Sequence, residues 1–230
     1  MSTTTNPTAT QVGGPATYFI RAGYRSRECV EYFVDETTDA VWQPDVYPYT
    51  ADQALARGHD AIIDIGCGRA GKLLSLSTTH PTWAYIGVDF GENLTWCRDN
   101  LPFGTWIHAD LETTQHLPIA SHLLERSVVV CSDVLEHLLN PVPALTMIHG
   151  LLKGGAAVAV LSTPARERRS GYSDPGPPRN PSHVREWASD EFQSLLEFAG
   201  FRILHAGLTR SDDISGGMTT QLVLVDLRPE

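Results

Sequence analysis

The sequence predicts an α/β domain built on a doubly wound, seven-stranded and mostly parallel sheet with one antiparallel strand. Three observations predict it. Short apolar runs rich in β-branched residues alternate with helix-period stretches between residues 61 and 199. The first run, Ala61–Ile65, turns on glycines directly into a helix. The last two runs, Arg202–Leu208 and Thr219–Leu227, leave no room for a helix between them, so they are most simply antiparallel neighbours.

The elements follow in order. Residues 1–16 are polar and read as a disordered tail. Residues 17–58 are aromatic-rich without clear period and read as a lid or cap, with Pro44 and Pro48 ahead of a short helix near Ala51–Arg57. Tyr18, Tyr24 and Tyr47 have apolar bodies and polar tips that suit the wall of an acceptor pocket. Residues 59–230 form the main domain. After Ala61–Ile65 comes a helix near Ala70–Thr78, then a strand at Ala84–Asp89 and a helix at Glu92–Asn100. A third strand is expected at Thr105–Asp110 and a fourth at Ser127–Ser132, the latter apolar enough to be buried on both faces. Asn140 is placed to cap the next helix with Pro141 at its first position, and Gly154-Gly155 stops it before a fifth strand at Ala156–Leu161. A long loop, 162–187, is rich in Pro, Gly and Arg, and loops of that length are functional or disordered. Ser189 is placed to cap a last helix that Gly200 ends. Alternating Val and Leu in Gln221–Leu227 suggests a sheet-edge contact, hence a homodimer.

Composition narrows the partners. The 230 residues carry a formal charge of −10, which disfavours a nucleic-acid surface. The four cysteines form no CxxC pair, which speaks against a disulfide or zinc framework. No apolar run reaches membrane-spanning length and the N-terminus lacks a signal-peptide pattern, so a cytoplasmic protein with no membrane partner is expected.

The glycine turn, Gly66-x-Gly68-x-x-Gly71, matches the dinucleotide fingerprint of Rossmann-like sheets. Three acids, Asp64, Asp89 and Asp110, each close a strand at the sheet edge where such folds bind ligands. An NAD-dependent oxidoreductase explains the glycines and Asp89 but requires neither Asp64 nor Asp110. With Asp64-Ile-Gly-Cys-Gly68, Gly87-Val-Asp89, Ala109-Asp110-Leu111, Val130–His137 followed by Asn140-Pro141, and Leu151–Gly155 in that order, the chain resembles the class I S-adenosylmethionine-dependent methyltransferases. The resemblance implies S-adenosyl-L-methionine as cofactor, with Gly66 and Gly68 at its amino-acid part, Asp89 on the ribose and Asp110 at the adenine. Asp64, Cys67, Phe90, Leu111 and Ser132 complete the expected cofactor set.

Asp133, Glu136 and His137 follow the fourth strand, and i, i+3 and i+4 share a helical face. They can act as an acceptor base, ligate a divalent metal, or simply tie the turn. The group with His183 is similar to the metal-binding motif of small-RNA 3′-terminal 2′-O-methyltransferases, which implies Asp133, Glu136, His137 and His183 as ligands. Arg166, Arg168, Arg169, Arg179 and Arg185 crowd the long loop as a solvated segment or a clamp for an anionic acceptor, with Arg168 the substrate candidate. The expected function is methyl transfer to an O or N atom of a small molecule, of sugar or natural-product type, by in-line attack. Metal-assisted 2′-O-methylation of a ribose-like acceptor, an NAD-dependent oxidoreductase and a non-catalytic cofactor-binding protein are the alternatives.

Overall fold

The computed structural model describes residues 18–29, 33–35 and 40–228, so the tail at 1–16 lies outside the described residues. Seven strands pair in one sheet: β1 (Ala61–Ile65), β2 (Ala84–Asp89), β3 (Thr105–His108), β4 (Ser127–Ser132), β5 (Ala159–Pro164), β6 (Phe201–Thr209) and β7 (Thr220–Leu227). Their order is β3-β2-β1-β4-β5-β7-β6. Only β7 runs against its neighbours β5 and β6. The order reverses between β1 and β4, where such sheets open a ligand crevice beyond the strand ends.

β1 and β4 are buried at every position, because both faces are covered. Their side chains alternate between two cores. Ile63, Ile65, Val129 and Cys131 face one side, under α5 (Val142–Lys153) and α7 (Ser189–Phe198). Ile62, Val128 and Val130 face the other, under α1 (Val46–Leu55), α2 (Gly71–Thr79) and α3 (Gly91–Asn100).

Several sequence-based expectations shift. The first helix starts at Val46 rather than Ala51 and takes Pro48 into its first turn, where a missing N–H costs nothing. β5 begins three residues late and runs through Ser162–Pro164, because β7 pairs with it as far as Thr220. The loop after it holds a short helix, α6 (Arg166–Arg169), and another, α4 (Ser121–Leu124), precedes β4. Asp110 lies just past β3, which stops at His108. Pro141, not Asn140, occupies the N-cap of α5, although Asn140 Oδ1 still accepts from Val142 N–H. Ser189 is the first residue of α7, whose end is closed instead by Glu191 accepting from Ala188 N–H. The Gln221–Leu227 alternation belongs to an interior strand paired on both sides, so it offers no edge for a dimer.

Candidate active site

The carboxyl ends of the parallel strands converge on the first glycine turn. Asp64 is buried in β1 and accepts a hydrogen bond from Tyr47 Oη at 2.8 Å, while its Oδ1 has no partner among the described residues. Burial pushes its carboxyl up to about 7, against the Tyr47 bond and the Lys72 charge. Asp89 accepts from Gly68 N–H and Phe90 N–H at 2.7 Å each, and burial raises it to about 6. Asp110 Oδ1 accepts from Glu112 N–H and Leu111 is buried beside it. Cys67 is buried as well, its thiol donating to Gly68 O.

Two contacts on this turn carry no motif in the sequence. Gly68 has φ +55, and a Cβ there would lie 2.6 Å from Asp35 Oδ2. The same oxygen accepts from Arg69 N–H. Asn93, at the start of α3, holds this segment from both sides: its Oδ1 accepts from Asp35 N–H and its Nδ2 donates to Phe33 O. Residues 33–35 thus lie across the glycine turn, and the Phe33 ring sits 5.7 Å from that of His137.

The second part of the site follows β4. Asp133 takes a left-handed φ of +60 while its N–H donates to Ser162 O. Aspartate tolerates that conformation better than most residues. A 3₁₀ turn, Leu135–His137, then points Leu135 into the core and brings Glu136 and His137 beside Asp133. Val184 N–H donates to Glu136 O at 2.7 Å, which sews the long loop onto this turn and delivers His183. The His137 and His183 rings meet edge to face at 4.6 Å. Asp133, Glu136, His137 and His183 each offer a ligand atom, all within 4.8 Å of one another. Both Glu136 carboxylate oxygens are buried with no hydrogen-bond partner among the described residues. Burial and the Asp133 charge hold Glu136 well above the usual carboxylate range. Burial opposes ionisation of Asp133, but its neighbours Glu136, His137, His183 and Lys72 bring it below its ordinary value. Burial lowers His137 to about 4, so the imidazole is neutral at neutral pH. A cluster of two carboxylates and two imidazoles, with unpaired buried oxygens, fits a divalent cation.

Other candidates are placed elsewhere. Tyr24 is buried with its hydroxyl accepting from Glu186 N–H, and Tyr47 is buried against Asp64, so neither presents its tip to an acceptor. Tyr18 stacks on Arg185 and bonds Asn140. Ser132 is turned inward: its hydroxyl donates to Gln43 Oε1, which also receives Ser162. Its hydroxyl is thereby committed to Gln43 rather than left free for a cofactor. Arg166 is buried against Glu191, and Arg185 donates to Leu138 O and Leu139 O, which removes both from any clamp. Arg169 pairs with Glu186, and Arg168 is exposed. Phe90 is partly exposed just beyond Asp89.

A family model described as a methyltransferase domain matches residues 43–206. The chain belongs to this methyltransferase family. Its seven-stranded mixed sheet has the fold of solved S-adenosylmethionine-dependent methyltransferases. Among curated relatives it is 33% identical over 131 residues to a ubiquinone biosynthesis O-methyltransferase of Psychrobacter cryohalolentis, covering 53% of this chain and 46% of the relative. The corresponding protein of Psychrobacter arcticus is 32% identical over the same length. The methyltransferase thus spans about half the length of the curated relatives it matches. Solved structures share the fold at lower identity. The methyltransferase domain of a bacterial Hen1 superposes with TM-score 0.57 at 21% identity, covering 81% of this chain and 98% of that one. An S-adenosylmethionine-dependent methyltransferase of Clostridium acetobutylicum gives 0.58 at 12%, covering 82% and 93%. No helix among the described residues is long and apolar enough to cross a membrane.

Proposed function

We propose that this methyltransferase moves the methyl group of S-adenosylmethionine to a hydroxyl of a small acceptor, with a divalent cation held by Asp133, Glu136, His137 and His183. The observation that carries the reading is the convergence of four ligand atoms within 4.8 Å, two of the residues fully enclosed, around Glu136 oxygens that nothing else among the described residues satisfies. Unpaired buried carboxylate oxygens are costly, and a cation offsets that cost.

Bound S-adenosylmethionine supplies an electrophilic methyl on a sulfonium, and a bound cation supplies Lewis acidity toward the acceptor hydroxyl. The chain supplies the placement. The unpaired Asp64 oxygen suits the cofactor's α-ammonium, and Asp89 keeps lone pairs for two vicinal hydroxyls after receiving its two backbone N–H groups. Asp133, which its neighbours hold ionised, can take the proton of an acceptor hydroxyl as the O–C bond forms and the C–S bond breaks, beside a Glu136 that burial and the Asp133 charge keep from ionising. Segment 33–35 links the two halves, with Asp35 on the glycine turn and the Phe33 ring beside His137. A cation held at this cluster suits an acceptor with two neighbouring oxygens, as in a vicinal diol or catechol, because such a pair can chelate it. The O-methyltransferase names of the curated relatives support oxygen over nitrogen as the atom methylated. The net charge of −10 argues for a small acceptor over a long RNA.

Titrating Mn²⁺ into the protein by calorimetry tests the cation. One site is expected, lost in Glu136→Ala with His137→Ala, and equal binding by that double variant overturns the reading.

A further inference from the structure

Both histidines of the cluster have one ring nitrogen committed to an acceptor that lies on the same short loop, 180–186. His137 Nδ1 is 3.0 Å from Ser182 O, and a carbonyl can only accept. His137 therefore carries its proton on Nδ1 and leaves the Nε2 lone pair free. His183 Nδ1 is 2.7 Å from Glu186 Oε1, within a pair whose side chains are almost fully enclosed. Its other nitrogen, Nε2, is 2.9 Å from Asn180 Nδ2, an amide that can only donate. His183 is thus also the Nδ1–H tautomer. Asn180 is in turn anchored, because its Oδ1 accepts from Ser182 N–H and Ser182 Oγ. Glu186 is anchored too, by Arg169 and by its own N–H on Tyr24 Oη.

We propose that Glu186 is a positioning residue for His183, that Ser182 O plays the same part for His137, and that the Asn180 amide occupies His183 Nε2 until a cation takes its place. This rests on the cation reading above. Carboxylate and carbonyl partners on the far nitrogen fix ring orientation and strengthen the near nitrogen as a ligand. In the resting protein the His183 lone pair would be left unsatisfied in a buried site, and the Asn180 N–H meets that need. Cation entry exchanges one bond for another at the same nitrogen, so the ring need not turn.

The test uses the full chain with ¹⁵N-labelled histidine. Long-range ¹H–¹⁵N spectra without metal are expected to show the Nδ1–H tautomer for both His137 and His183. Glu186→Ala is expected to mix the His183 tautomers and to weaken Mn²⁺ binding about 10–100-fold. Glu186→Gln, whose amide oxygen still accepts from Nδ1–H, is expected to keep the tautomer and to bind Mn²⁺ within about threefold of the original affinity, the rescue that a merely structural role does not give. Asn180→Ala is expected to bind Mn²⁺ more tightly. An Nε2–H tautomer of His183 in the unaltered protein overturns the proposal, as does unchanged tautomer and affinity in Glu186→Ala. If the unaltered protein shows both Nδ1–H tautomers yet binds no Mn²⁺, the cation reading fails while the orienting role of Glu186 and Ser182 stands.

Discussion

Replacing Asp64 with asparagine tests the charge state at the centre of the site. Asp64 is 1% exposed, receives one hydrogen bond, from Tyr47, and leaves Oδ1 without a partner among the described residues. Burial lifts its carboxyl from 3.8 to about 7. The folded protein therefore keeps this proton up to about pH 7, whereas the unfolded chain releases it near 3.8. The folded state binds more protons between these values, so stability from this group is full below the lower pKa, falls as pH rises, and is gone above about 7. A shift of roughly three units corresponds to about 4 kcal/mol, an upper limit for the whole window. The amide introduced by Asp64→Asn is neutral throughout and can still accept from Tyr47. Urea unfolding at pH 5, 6, 7 and 8 is expected to show Asp64→Asn gaining on the original protein by about 2–3 kcal/mol from the lowest to the highest pH, since only the two units between pH 5 and about 7 contribute. The same variant is expected to lose S-adenosylhomocysteine affinity at pH 8, where the ionised acid attracts the α-ammonium. A stability difference that is flat from pH 5 to 8 refutes the reasoning, because it means that Asp64 ionises as an ordinary carboxylate.

Three further outcomes rest on particular contacts. Arg166→Ala leaves Glu191 as a buried unpaired charge and should destabilise the fold by about 3–5 kcal/mol in urea titrations, whereas Arg168→Ala, at an exposed position, should stay within about 0.5 kcal/mol. Asn93→Ala removes the two bonds that hold residues 33–35 on the cofactor turn, and calorimetry should find S-adenosylhomocysteine binding weakened about tenfold. Unchanged affinity there would separate the segment from cofactor binding. Gly68→Ala forces a Cβ against Asp35 at positive φ, so it should both lower the melting temperature and weaken the cofactor.

The sheet, its order of elements and the acids at its edge are legible in the sequence because strand runs, helix periods and glycine turns are local signals. Asp133, Glu136, His137 and His183 are also legible as a group, though spacing suggests a helical face where a left-handed Asp133 and a 3₁₀ turn bring them together instead. What the sequence hides depends on distant partners. β5 slides three residues toward its carboxyl end because β7, far along the chain, sets its register. Ser132 is free for a cofactor by its position alone, but the fold sets Gln43 against it. Asp35 and Asn93 sit in no motif, and only the fold brings them to the glycine turn, while Lys72 follows Gly71 directly but carries no signal that its charge acts on Asp64. Charge alone does not separate the loop arginines: Arg166 and Arg185 point inward onto Tyr24 and Tyr18, an arrangement with no pattern in residue spacing.

Methyl transfer from labelled S-adenosylmethionine to a vicinal diol, compared with its monodeoxy analogue and run with and without a chelator, bears most directly on the proposed activity. Turnover of the diol that a chelator abolishes and Mn²⁺ restores, with the monodeoxy compound at least about tenfold slower, is the expected result. Equal turnover of the two compounds, indifferent to the chelator, contradicts a cation at Asp133, Glu136, His137 and His183.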